Sequence, residues 1–187
     1  DPGQALQIQA TGIPPQDDLE SAIVATLPPA GYTAIESGKS NGTGLGLVEV
    51  YDLDQSGGSQ LANISARAVV GPGTNVIIGG FILGGSDTPA KVIIRAIGPS
   101  LTRANIAKPL DDPTLELRDG NGLLIAFNDN WKDNPEQAAL IIEAAVEPQN
   151  DLEAAIAATL PSGAYTAIVA GNGGSTGVGL LEVYNLQ

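Results

Sequence analysis

The feature that most constrains the fold is an internal repeat: residues 18–54 and residues 151–187 are two copies of one segment, 133 positions apart. The copies align without a gap, and 22 of their 37 positions are identical. The alignment extends upstream, where residues 1–5 match residues 134–138, but nothing in the chain duplicates residues 59–133. A repeat of this kind indicates one folding module used more than once. The chain therefore holds two C-terminal halves of the module and one N-terminal half.

The number of half-modules in the chain predicts its domain organisation. Residues 1–55 are expected to be the C-terminal half of a preceding, incomplete module, and residues 61–187 a complete one. Residues 56–60 are expected to join them as a linker, because Ser-Gly-Gly-Ser at positions 56–59 is typical of flexible joints. Either the two C-terminal halves pack into one hybrid sandwich, or a further segment completes residues 1–55.

Composition and patterning favour an all-β fold. A chain of 187 residues that is 43% hydrophobic can bury a proper core. Its 24 glycines and 13 prolines, with valine, isoleucine and threonine in short runs, are typical of many strands separated by turns. We predict an antiparallel β-sandwich or jelly roll of about eight strands. One short helix is expected at residues 135–145, where apolar residues recur at helical spacing.

The strands of the complete module can be placed from their patterns. Three hairpins are expected: residues 62–70 with 76–83, a second closed by residues 84–90 into 91–97, and a third around Asp119-Gly120-Asn121-Gly122. Residues 98–112 read as a surface connection with one helical turn. Residues 151–160 fit a helix by their alanine content but fit a strand better beside the strand at 165–170.

Missing residue types exclude several functions. The chain has no cysteine and no histidine, which rules out disulfides, thiolate or imidazole metal sites and the usual histidine-dependent nucleophiles. Paired carboxylates such as Asp111 with Asp112, or Asp151 with Glu153, could nominally serve a glycosidase. Nothing in their surroundings sets two different pKa values. We therefore predict no catalytic residues and no enzyme activity.

The charge is strongly acidic, with 21 acidic and 8 basic residues and a formal net charge of −13. The first 55 residues carry one basic residue, Lys39, and eight acidic ones. Such a surface repels phosphate backbones and anionic membranes, so nucleic-acid partners are not expected. No apolar run is long enough for membrane insertion. The charge either keeps the protein soluble or attracts cations.

A polar cluster predicts a calcium site. Oxygen ligands from Asp, Asn and backbone carbonyls are those that calcium prefers, although the same residues are common turn formers. The candidate ligands are Asp119, Asn121, Asn128, Asp129 and Asn130, within a wider cluster that adds Asp111, Asp112 and Asp133. Calcium is the only cofactor that the sequence suggests, and turn formation alone remains the alternative.

Aromatic residues give a weaker indication. Trp131 is the only tryptophan, beside Asn128-Asp129-Asn130, and an exposed indole there could stack on a sugar ring. Packing in the core is the competing interpretation. Tyr32 with Tyr51 and Tyr165 with Tyr184 recur in the two copies, which favours anchoring of the sandwich over ligand binding.

Several runs resemble one bacterial family. The run Asp112–Gly122, followed by residues 125–130, resembles the central hairpin of pre-peptidase C-terminal domains, and residues 159–169 resemble a strand pair of the same family. Residues 61–187 are also similar to modules that occur in tandem near the C-termini of very large secreted bacterial proteins, typically opening with a run such as Leu-Ala-Asn-Ile-Ser at 61–65. The resemblance implies β-sandwiches that assist secretion, surface attachment or assembly and carry no catalytic residues.

We therefore expect a non-catalytic structural or adhesive module located outside the cell or on its surface. A half-module would expose unpaired strand edges and an apolar face, so it should seek strands in other copies of the chain or in neighbouring modules. Strand complementation would yield a fibre or a tandem array. The alternative is a calcium- or carbohydrate-binding accessory domain of a large secreted enzyme.

Overall fold

A computed structural model describes residues 2–54, 61–84 and 88–186. By its internal contacts the chain divides into two units, Asp1–Leu61 and Ala62–Gln187. The predicted linker at residues 56–60 lies outside the described residues, so the exact boundary between half-module and module stays a prediction. In the described part of the chain, no helix is long and apolar enough to cross a membrane.

Among the described residues, eight strands and one α-helix form the second unit, and a further α-helix lies in the first. The helices are α1 (Pro2–Ala10) and α2 (Pro135–Glu143), and the strands are β1 (Asn63–Val70), β2 (Ile77–Leu83), β3 (Ala90–Ile97), β4 (Pro113–Asp119), β5 (Leu124–Asn128), β6 (Ala154–Leu160), β7 (Gly163–Gly171) and β8 (Gly177–Asn185). Short 3₁₀ turns cover Lys39–Asn41, Pro99–Ala104 and Asn172–Gly174.

The strands form two four-stranded antiparallel sheets, in the orders β1-β8-β3-β6 and β2-β7-β4-β5. Side chains that alternate along each strand meet between the sheets. In β4, for example, Leu115 and Leu117 are fully buried while Glu116 between them is not. The predicted β-sandwich, its eight strands and the strand over residues 151–160 are confirmed. Every one of the eight strands comes from the second unit.

Helix α2 covers the outer face of the first sheet. Nearby residues initiate the helix, and its apolar side chains pack against the sheet. The Asn134 side chain caps its first turn by accepting bonds from the backbone N–H groups of Glu136 and Gln137. Pro135 stands at the first helical position, which suits its fixed φ. A second apolar cluster forms beneath the helix and contains Ile93, Trp131, Ala138, Ile141 and Ala155.

Strand pairing differs from the sequence expectation at two of the three hairpins. The β4–β5 hairpin is confirmed, with Gly122 at φ +81° in its turn. Strand β1 pairs with β8 and β2 pairs with β7, so β1 does not form a hairpin with β2. Strands β2 and β3 also lie in different sheets, and part of the expected turn, residues 85–87, lies outside the described residues. Turn residues indicate where a strand ends, but they do not tell which sheet the next strand joins.

The first unit has α1 and one 3₁₀ turn but, within residues 2–54, no paired strands. Its apolar side chains are largely exposed. Leu19, Ile23 and Ile35 are each more than four-fifths exposed, although all three belong to the repeated segment.

Candidate functional site

The first unit retains the local geometry of the second without its sheets. Helix α1 spans the positions that α2 spans one repeat later, and the 3₁₀ turn at Lys39–Asn41 matches the one at Asn172–Gly174. The hydroxyl of Tyr32 donates to the carbonyl of Pro28 at 2.7 Å, and that of Tyr165 donates to Pro161 at 2.8 Å. The repeated sequence therefore forms the same turns in both places.

A glutamate at the start of the repeat shows what the first unit lacks. Glu153 is fully buried, and its Oε2 accepts bonds from the backbone N–H groups of Gln149 and Asn150, both at 3.2 Å. Its Oε1 accepts bonds from the N–H groups of Gly98 (3.2 Å) and Ser100 (2.9 Å) and from the Ser100 hydroxyl. A buried carboxylate needs such a full set of donors.

The equivalent Glu20 makes only two of these five bonds among the described residues. Its Oε2 accepts from the N–H groups of Gln16 (3.1 Å) and Asp17 (3.3 Å), in the positions of Gln149 and Asn150. Glu20 is exposed, and no described group of the first unit takes the place of the 98–100 loop. The missing donors belong to the N-terminal half of a module.

An arginine on β3 makes the second connection between the two halves of the module. Arg95 forms a salt bridge with Glu182, with Nε 2.9 Å from Oε2, and its terminal nitrogens donate to the Val146 carbonyl (2.7 Å) and the Tyr184 hydroxyl (2.8 Å). The guanidinium also lies 5.0 Å from the centre of the Tyr184 ring. Burial, then the charge of Glu182, raises the pKa of Tyr184, and the positive charge of Arg95 opposes that rise.

The acceptors of this arginine recur in the first unit. Glu49 and Tyr51 occupy the positions of Glu182 and Tyr184, and the Tyr51 hydroxyl donates to Glu49 at 3.0 Å as the Tyr184 hydroxyl does to Glu182 at 2.9 Å. Hydrogen bonding to Glu49, then its negative charge, raises the pKa of Tyr51. Two of the three acceptors of Arg95 thus recur in the first unit, where both are exposed.

The apolar side chains of the repeat show the same contrast. Ile156 is 1% exposed in the core, whereas Ile23 at the equivalent position is 85% exposed. Leu160 and Leu181 are buried, whereas Leu27 and Val48 are more than half exposed. The first unit therefore presents the core-facing residues of a sandwich that its own described residues do not close.

The predicted calcium ligands fall into two groups. Asp119 and Asn121 lie at the β4–β5 turn, where Asp119 Oδ1 accepts from the N–H groups of Asn121 and Leu123, both at 2.9 Å. Asn128 pairs with Leu115 near the other end of the hairpin, about 13 Å away along the strand. The structure does not bring the two groups together.

Side-chain bonds give two of the remaining candidates structural roles. Asn128 Oδ1 accepts from the N–H of Ala155 at 2.8 Å, and its Nδ2 donates to the Asn130 carbonyl at 2.9 Å. The Asn130 amide lies 3.5 Å from Asp133. The Asn128 side chain therefore holds the end of β5 against β6, and that of Asn130 bonds within the loop that follows.

Asp129, in contrast, belongs to a polar cluster that joins it and Asp112, both in the wider predicted cluster, to Asn172, which the sequence analysis did not include. Asn172 Nδ2 donates to Asp112 at 2.9 Å and to Asp129 at 3.3 Å. The Oδ1 atoms of both aspartates are buried and accept no hydrogen bond from any described residue. Burial, then repulsion from Asp112 and from Asp133, raises the pKa of Asp129. Within the described residues, no three Asp, Glu, His or Cys side chains form a metal-binding group.

Trp131 packs inside the protein. The ring is 5% exposed in the cluster beneath α2, and its Nε1 donates to the Asn150 carbonyl at 3.1 Å. It offers no free face for a sugar ring, so the carbohydrate platform expected at this residue is replaced by core packing. The physical reason is that the outer face of the first sheet is apolar and needs a large side chain to fill the space under α2.

The nominal carboxylate pairs also have structural roles. Glu153 is buried and accepts five hydrogen bonds, whereas Asp151 lies at the surface in a salt bridge with Lys132. Asp111 is exposed and Asp112 belongs to the cluster with Asn172. A groove of about 390 Å³ beside α2 contains one carboxylate, that of Glu143, among its described lining residues. Neither pair has the cleft and the neighbouring apolar wall that a glycosidase needs.

Sequence reasoning missed Arg95, Glu182 and Asn172. A signal for Glu182 was present, since Glu-Val-Tyr recurs at residues 49–51 and 182–184. Arg95 has no copy in the chain, so the repeat could not point to it. Asn172 lies in a glycine-rich loop whose sequence indicates only a turn.

Comparison with known proteins finds no match to a family model and no match to a curated protein. Among solved structures, the chain is similar to the 1.0 Å crystal structure of the pre-peptidase C-terminal domain of a collagenase from Bacillus anthracis. The sequence identity is 12% and the TM-score 0.41, over 65% of this chain and 89% of that one. The likeness concerns the fold alone.

Proposed function

We propose that the chain is a non-catalytic structural module that assembles by strand complementation. Residues 1–54 are the C-terminal half of a sandwich, and strands from a neighbouring module complete it. Repetition of this contact joins modules into a tandem array or fibre. The proposal places the protein outside the cell, as the resemblance to modules of secreted bacterial proteins suggests and as its charge of −13 suits.

The pairing pattern of the complete module carries this proposal. Strand β6 pairs with β3, β7 lies between β2 and β4, and β8 lies between β1 and β3. The three strands of the repeated half therefore pair only with strands of the N-terminal half. A C-terminal half alone cannot form a sheet in this topology, because each of its strands leaves its backbone groups without partners.

Association of the purified chain tests the proposal. We expect concentration-dependent association by sedimentation velocity and regular threads or chains of modules by electron microscopy. Ile23→Ser should weaken association at least several-fold, because it removes a core-facing side chain of the half-module. Ile82→Ser is the matched control: Ile82 is 80% exposed on β2 of the complete module, and its loss should leave association unchanged.

Two results would refute assembly through residues 1–54. One is a chain that stays monomeric at every concentration and forms no threads. The other is equal loss of association in the Ile23 and Ile82 variants, which would indicate general stickiness of exposed apolar residues.

A second candidate function, calcium binding, is favoured by one observation. The two buried Oδ1 atoms of Asp112 and Asp129 lack hydrogen-bond donors, and buried carboxylate oxygens without donors are costly unless a cation pairs with them. The site would differ from the one predicted from the sequence, since of the five predicted ligands it would keep only Asp129.

Calcium titration of the melting temperature tests this candidate. Calcium at a large excess over its Kd should raise the melting temperature by several degrees. The rise should vanish in Asp129→Asn and persist in Asp111→Asn, which changes an exposed carboxylate nearby. No rise in the unmodified chain, or an equal rise in the Asp129 variant, would show that the cluster does not bind calcium.

A further inference from the structure

We infer that residues 1–54 bind an N-terminal half-module whose inserted strand carries an arginine for Glu49 and Tyr51 and whose following loop supplies backbone N–H groups to Glu20. The required partner is a five-stranded segment of the same type as residues 62–133. This inference rests on the proposed strand complementation and specifies its partner and register.

Every acceptor of the arginine has an equivalent residue in the first unit. In the second unit, Arg95 has three acceptors, and all three belong to the C-terminal half: Glu182, Tyr184 and the Val146 carbonyl. The equivalent residues Glu49, Tyr51 and Ile13 are all present in the first unit. The turn before this carbonyl is also kept, since Gly12 has φ +79° where Ala145 has φ +55°.

Charge points to the same occupant. Glu49 and Tyr51 are exposed, and the hydrogen bond to Glu49, then the negative charge of Glu49, raises the pKa of Tyr51 with no described cation opposing it. A guanidinium is the group that bonds a carboxylate through a planar fork and stacks on a tyrosine ring at once. Arg95 makes both contacts in the complete module.

Glu20 gives an independent second point of recognition. Its Oε2 accepts hydrogen bonds from the backbone N–H groups of Gln16 and Asp17, as Oε2 of Glu153 does from Gln149 and Asn150. In the second unit, Oε1 of Glu153 accepts hydrogen bonds from the N–H groups of Gly98 and Ser100, which follow β3 directly. An inserted strand that places its arginine at Glu49 would therefore bring its own Gly-x-Ser loop to Glu20.

A second copy of the chain can donate these strands only by exchange, the low-cost route by which the purified chain would associate at high concentration. Its residues 62–133 already pair with its own residues 134–187, and moving them to another chain would break as many strand pairs as it forms. The number of strand pairs increases only when the donor half-module has no C-terminal half of its own. The occupant is therefore an unpaired N-terminal half-module.

A fusion supplies such a donor in the right place. Because residue 1 aligns with residue 134, joining a second copy of residues 61–133 directly to residue 1 of the full chain reproduces the continuity of a complete module. Hydrogen exchange by mass spectrometry is read in peptides from residues 18–54, which differ in sequence from residues 151–187. We expect exchange there to slow at least about a hundredfold relative to the unfused chain, as in paired strands.

Two substitutions test the register. Arg95→Gln in the added segment and Glu49→Gln should each speed exchange in residues 18–54 about tenfold, and the double variant should be no faster than the single ones. Arg118→Gln in the added segment is the control, because Arg118 bonds Glu116 and the Gly122 carbonyl within the N-terminal half and should leave exchange unchanged.

The outcomes distinguish failure of the arginine register from failure of strand complementation. If exchange in residues 18–54 of the fusion stays as fast as in the unfused chain, strand complementation itself fails. If exchange slows but the two substitutions act additively, or act no more than Arg118→Gln does, complementation stands and the inferred arginine register is overturned.

Discussion

At the residue scale, two acidic side chains show how much the surrounding donors matter. Glu153 sits fully buried on five donors from two loops. Asp129 is partly buried beside Asp112, and one of its oxygens has no donor among the described residues. The first carboxylate holds two loops together, and the second costs stability when it is ionised.

The raised pKa of Asp129 predicts a pH dependence. Burial, then Asp112 and Asp133, raises the pKa, so the native state holds more protons than the unfolded chain between the two pKa values. Stability should therefore fall as pH rises from the unfolded pKa, about 3.9, through the higher folded value. Without calcium, Asp129→Asn should melt at a higher temperature than the unmodified chain at neutral pH and at the same temperature well below pH 3.9. An equal or lower melting temperature at neutral pH would contradict this, and Asp111→Asn serves as the control.

At the element scale, the repeated half shows which structure a local sequence can form without partners. Helix α1, the 3₁₀ turn at Lys39–Asn41 and the tyrosine bond to Pro28 all form in the first unit. Each depends on residues close in the chain. Paired strands do not form there, because a β-ladder needs a second strand to supply donors and acceptors.

Equivalent isoleucines in the two copies give a matched prediction. Ile156→Ala should destabilise the complete module by about 2–5 kcal/mol, since it leaves a cavity in a closed core. Ile23→Ala should change the stability of that module by less than about 0.5 kcal/mol, because the side chain is exposed. Denaturant unfolding followed by tryptophan fluorescence measures this, since the single indole, Trp131, lies in the complete module. Equal losses in the two variants would show that the copies share one core.

At the scale of the whole molecule, the sequence holds one N-terminal half for two C-terminal halves, and the N-terminal half pairs with only one of them. The eight described strands close one sandwich, and residues 2–54 leave exposed the apolar side chains that the equivalent positions of that sandwich bury. The net charge of −13 opposes unspecific association of such apolar surface, because like charges repel at short range. Pairing is then favoured with a partner whose charge and strand pattern match, which is the role inferred for the arginine-bearing strand.

The sequence by itself determined the repeat, the β-sandwich class, the positions of most strands and the capped helix at residue 135. These depend on alternation, turn residues and side chains close in the chain. Only the tertiary structure decided which sheet each strand joins, that Trp131 is buried, that Asp112 meets Asp129 and Asn172, and that Arg95 binds Glu182. Such contacts join residues 17 to 87 positions apart, and they arise only when the two sheets and α2 pack together.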